Sequence, residues 1–201
     1  MGDLTDSANF NPAQNESILN YEEQSTMLRG IFESIPEDRI WAIWKGNHDF
    51  KWEAKHGTSK YKQIAERYNK PVFYGASFID LKINNIEYKI LGSHQLRGSS
   101  IYNNSHPVLR AFREIEQLDI VVAGHTHRKG KIAQPIKGFN SARNGVGCIT
   151  GTYQNASGYG KDRGFTKLQT EEQGMWWLML DERRKNVQIL STEEMIAMAK
   201  W

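Results

Sequence analysis

Apolar positions along the chain predict helices alternating with strands at first, and mostly strands later. Ile18, Tyr21, Leu28, Ile31, Phe32 and Ile35 share one face of a helical repeat that Pro36 ends. Ahead of it, residues 7–17 (SANFNPAQNES) are polar and turn-rich and read as a loop, with Asp6 read as a cap or supporting carboxylate. The run RIWAIW (39–44) is rich in β-branched and aromatic residues, which predicts a buried strand emptying into KGNHDF. TSKYKQIAERYN follows as a helix, with Thr58 or Ser59 as N-cap and Tyr61, Ile64, Ala65 and Tyr68 on one face.

SFIDLKI and IEYKIL alternate apolar and polar positions, and Asn84-Asn85 between them predicts a tight hairpin. A helix runs from Pro107 through Phe112 and Ile115, and DIVVAG is a further strand. KIAQPI, VGCITGTY, MWWLML and VQIL read as strands, with ERRK (182–185) in a hairpin turn. Ser191 and Glu194 form a capping-box pattern that announces a final helix. Helices interleaved with strands, then strands, predict an α/β fold of sheets layered between helices.

Composition narrows this picture. At 201 residues, 39% hydrophobic and 24% charged, the chain suits one soluble domain over residues 1–201. A net charge of +3 is too weak to indicate nucleic acid, and no extended basic and aromatic surface does so either. Cys148 is alone and cannot form an internal disulfide. No apolar run is long enough for a membrane span, and the first thirty residues are not signal-like, so the expected location is the cytoplasm and no membrane partner is expected.

Chemistry collects at strand ends. Three predicted strands empty into a glycine or small residue followed by histidine: KGNHDF, GSHQ and AGHTH. Binding sites assemble at such ends, because the sheet holds converging loops rigid. Asp3, Asn47, His94 and His125 then offer a carboxylate, an amide oxygen and two imidazoles. His127, two residues beyond His125, is placed to face a second cation, and the Asp3 carboxylate has an oxygen for each. Mixed oxygen and nitrogen donors suit Mn²⁺, Fe²⁺ or Zn²⁺ and disfavour Ca²⁺.

The ordered set GDLTD, GNHD, a histidine after a strand, and GHTH resembles the calcineurin-like metallophosphoesterases over residues 2–127. HQLRGSSIYNNSHPVLR and GTYQNASGYGKDRGF are similar to a branch of that superfamily found in phages and bacteria, which implies the host cytoplasm for a phage-encoded chain. The resemblance implies a layered αββα sandwich of two mixed sheets flanked by helices. It also implies one or two divalent cations, Mn²⁺ first with Fe²⁺, Zn²⁺ or Ni²⁺ as alternatives. Asp3 would bridge, Asn47, His94 and His125 would complete one cation's ligands, and His127 would hold the other. His48, oriented by Asp49, would assist at the phosphoryl group as a metal-bound hydroxide hydrolyses a phosphomonoester or phosphodiester. Arg97, His106 and Arg128 are candidates for the substrate side.

The resembled family has an earlier strand ending in Asp-x-His, and nothing here matches it ahead of Met1. The expectation is therefore an N-terminally truncated domain whose second cation keeps only Asp3 and His127. Two further readings stay open. One is a split enzyme that needs an upstream fragment, or self-associates, at an exposed sheet edge. The other is a non-catalytic metal-binding module.

Overall fold

The computed structural model describes residues 2–3, 19–57, 59–137, 142–153 and 173–200. They fall into two compact units, one holding the described residues up to Gly75 and the other those from Ala76 onward. The loop expected over 7–17, Asp6, Ile18, Thr58 and the stretch of GTYQNASGYGKDRGF beyond Tyr153 lie outside the described residues.

In the first unit, α1 (Tyr21–Glu33) opens on a capping box in which Asn20 accepts the Glu23 N–H and Glu23 accepts the Asn20 N–H. Tyr21 and Leu28 are buried, but Ile31 is 50% exposed and Ile35 36%. The apolar stripe is narrower than its sequence spacing: Ile31 faces outward within the helix, and Ile35 falls in the turn before Pro36, after the helix has stopped at Glu33. The strand expected over 39–44 is also shorter. A 3-10 turn takes Glu37–Arg39, leaving β1 (Ile43–Trp44) to pair in parallel with β2 (Val72–Phe73).

Between these strands lie α2 (Asn47–His56) and α3 (Lys60–Arg67), the latter capped by Ser59 accepting the Lys62 N–H. Leu28, Ile40, Ile43, Ile64 and Ala65 form this unit's core. The helix α2 stands where a loop was expected. Gly57 ends it at φ +67°, a left-handed cap that a residue without Cβ takes without strain. His56 sits on the last turn of α2 and stacks on Trp52 at 4.0 Å between ring centroids.

The second unit is built on a mixed sheet with strand order β3-β4-β5-β7-β6. Its strands are β3 (Ser77–Ile83), β4 (Ile86–Ser93), β5 (Ile120–Ala123), β6 (Gly130–Lys137) and β7 (Ala142–Ile149). The inner three run parallel and both edge strands run antiparallel to their neighbours. The β3–β4 hairpin turns at Asn84, φ +52°, as its sequence implied. The helix α4 (His106–Glu114) makes the crossover from β4 to β5 and packs Val108 and Ala111 against Leu91, Val121 and Ile149. Gly147 on β7 makes that packing feasible, because a Cβ there would overlap the Val108 side chain and crowd Phe112.

The strands β8 (Trp177–Leu180) and β9 (Val187–Leu190) pair antiparallel and contribute Val187, Leu178, Leu180 and Ile189 to a core around Tyr88, Ile120 and Val146. The Tyr88 hydroxyl, fully buried, lies 2.6 Å from the Asp181 carbonyl and accepts the Asn186 N–H, which clamps the β8–β9 turn. The capping box of Ser191 and Glu194 opens α5 (Thr192–Ala199) as expected. Mixed sheets flanked by helices are thus the observed α/β architecture. Among the described residues, no helix is long and apolar enough to cross a membrane.

Two outcomes follow from this packing. Gly147→Ala should destabilise the protein by about 1–3 kcal/mol, the cost typical of overpacking, in a denaturant titration. Cys148 is 1% exposed and burial pushes its thiol up to about 12. It should resist alkylation at pH 8 in the folded protein and react once denaturant is added.

Candidate metal centre

The first unit gathers Gly2, Asp3 and the start of α2. Gly46 is the N-cap of α2 and has no side chain to accept the exposed N–H groups of the first turn. Asp3 takes that part instead, its Oδ1 accepting the His48 N–H at 2.9 Å. Asp49 Oδ2 accepts the Gly46 N–H at 2.8 Å and the Asp3 N–H at 3.0 Å. Each carboxylate therefore holds the backbone that carries the other. A Cβ on residue 46 would overlap Asp3, so glycine is required for this approach. Asp3 has φ +47°, an uncommon conformation that these two contacts hold in place. The positive end of the helix dipole favours the carboxylate there.

Lys45 supports the same turn from below. Its ammonium is out of solvent, paired with Glu53 and set over the rings of Tyr74 and Phe50 at 4.4 and 5.1 Å. Burial pulls the amine below its ordinary range, while the Asp49 carboxylate works in the other direction. Sequence reasoning passed over Lys45. It also missed that GNHD is a helix start. Asp49 at the third helical position, Lys55 and His56 in the last turn and Gly57 after it were the signals present.

The second unit brings His94 and His125 together through strand register. Ser93, Ala123 and Ile149 are aligned across β4, β5 and β7, so the residues that follow leave the sheet side by side. The Gly124 N–H donates to the His94 carbonyl at 3.0 Å, and the Thr150 N–H to the Ala123 carbonyl at 2.8 Å. His94 Nε2 and His125 Nδ1 then lie 3.1 Å apart, with the rings nearly perpendicular at 78°. Two nitrogens each about 2.0–2.1 Å from one cation would be separated by close to this distance. The donor pair fits a first-row divalent ion.

His125 and His127 both have positive φ, +73° and +58°. Neither is glycine, so the GHTH turn holds on the order of 1–3 kcal/mol of strain per residue, of the kind concentrated at functional sites. His127 and Arg128 are half-buried and Arg97 is exposed. His106 is occupied structurally, its Nδ1–H donating to the Gly98 carbonyl at 2.5 Å. Tyr153 is 74% exposed.

No curated protein matches the chain. A family model described as calcineurin-like phosphoesterase matches residues 1–129, the span that contains GD, GNHD, the histidine after β4 and GHTH. That match covers well over half the sequence, and the chain belongs to the calcineurin-like phosphoesterase family.

Proposed function

We propose that this chain hydrolyses a phosphoester, a phosphomonoester or phosphodiester, with a divalent cation, Mn²⁺ by preference. The observation that carries the reading is the convergence of His94 Nε2 and His125 Nδ1 at the ends of adjacent parallel strands. Asp3, His94 and His125 each offer a ligand atom of metal-binding type. In this reading they and the Asn47 amide oxygen serve one cation, and His127 with Asp3 serves a second. Bound there, a divalent cation supplies Lewis acidity, which lowers the pKa of water and offsets charge on phosphoryl oxygens.

The chain's own residues do the rest. His48 sits on the first turn of α2, where its imidazolium donates a hydrogen bond to a phosphoryl oxygen or a proton to the departing alkoxide. Asp49 fixes the turn on which Asn47 and His48 ride, through Gly46 and Asp3. Arg97 and Arg128 attract the substrate's negative charge.

Incubated with Mn²⁺ and an aryl phosphodiester or monoester, the full chain should release the arylate, and His48→Ala should lower kcat by about 10²–10⁴-fold while leaving Mn²⁺ affinity near wild type. Absence of hydrolysis with Mn²⁺, Fe²⁺, Zn²⁺ and Ni²⁺ in a folded preparation would refute the assignment. Asp49→Ala should weaken Mn²⁺ binding about 10–100-fold in calorimetry, the usual effect of removing a group that orients a ligand. Unchanged affinity would remove Asp3 from the donor set.

A further inference from the structure

Beside His125 the second unit contains a cavity of about 270 Å³. Gln95, Leu96, Ser99, Pro107 and Thr126 line it together with the imidazole. Its volume lies just under the usual range for small-molecule sites, roughly 300–1,000 Å³, so it holds one compact ring system rather than an oligomer. Apart from the His125 imidazole, the described lining residues are all uncharged. A phosphate or carboxylate placed inside would lose water without gaining a fixed counter-charge, which is costly. An amide and hydroxyls beside Leu96 and Pro107 instead suit a ring with hydroxyls on its edge and an apolar face.

The wall of this cavity is built rather than loose. Gly98 has φ +90°, and a Cβ there would crowd the His106 ring and Arg110 at 3.2 Å. The His106 Nδ1–H donates to the Gly98 carbonyl, since a carbonyl can only accept. Asn104 Nδ2 donates to the Lys129 carbonyl at 3.1 Å, and Ser105 Oγ to the Lys131 carbonyl at 3.2 Å. The segment from Leu96 to Pro107 is therefore tied both to itself and to the start of β6.

We propose that this cavity receives the alcohol portion of the phosphoester, an uncharged ring bearing hydroxyls, and that His106 is a positioning residue for its wall. This rests on the phosphoesterase reading, but its test does not require turnover. Saturation-transfer NMR on the metal-free full chain would use two probes, adenosine and methyl glucoside, which separate a nucleoside from a sugar as the source of the ring. One of them should bind. Ser99→Phe, at an exposed position, should weaken that binding at least tenfold, and Leu96→Trp gives a second occlusion if the first variant fails to fold. His106→Leu should weaken it about tenfold, with His106→Gln, which keeps an N–H donor, restoring most of the loss. Binding of neither probe, binding untouched by both occluding variants, or tighter binding of adenosine diphosphate than of adenosine would overturn the proposal. A chain that binds the ring yet hydrolyses nothing would instead sink the phosphoesterase reading, so the two failures are distinguishable.

Discussion

The Asp49 carboxylate is buried, and a buried anion persists only where donors surround it. Its donors include two backbone N–H groups, from Gly46 and from Asp3. Asp3 in turn accepts from the His48 backbone. This exchange joins a residue at the head of the sequence to a helix start more than forty positions later. It works only because residue 46 lacks a Cβ. Lys45 reinforces it, since an ammonium kept from water by Tyr74 and Phe50 and paired with Glu53 cannot swing away without exposing Glu53. The first unit thus spends its few buried charges on holding one turn.

The second unit reaches comparable order by different means. Its two close imidazoles meet through the backbone that carries them. They are delivered by the register of β4, β5 and β7, whose last residues lie in one row. That register is itself locked by α4, which sits low on the sheet because Gly147 and Gly145 open the space for Val108 and Phe112. On the opposite face, Tyr88 fixes the β8–β9 turn through the Asp181 carbonyl. Strain at His125 and His127 is tolerable on such a base, because the rigid sheet over-determines the turn.

The sequence was readable where one local rule decided the outcome. Asn84-Asn85 between alternating segments dictated a hairpin, Pro107 a helix start, and Ser191 with Glu194 a capped final helix. The ordered histidines after strands identified the two imidazoles that meet. What stayed hidden depended on partners distant in sequence. The helix α2 has a glycine where a capping side chain is expected, and the missing cap comes from Asp3. The Ile31 and Ile35 positions matched a helical stripe, yet Ile31 faces outward within the helix and Ile35 lies beyond its end at Glu33. The His106 ring is engaged with Gly98 across a loop whose shape no spacing rule encodes.

The two units also divide the donor types. Oxygen comes from the first, in Asp3 and Asn47, and imidazole nitrogen from the second, in His94, His125 and His127. Ions that want only oxygen gain little from the imidazoles, and ions that want thiolate find Cys148 buried in a core. The paired imidazoles of the second unit would fill half of the tetrahedral shell that zinc prefers, and the rest would fall to oxygen donors, water or a phosphoryl oxygen. A six-coordinate ion such as Mn²⁺ or Fe²⁺ would leave more of those positions open, even though it binds nitrogen and oxygen donors less tightly. Coordination number and affinity therefore pull in opposite directions at this pair of histidines.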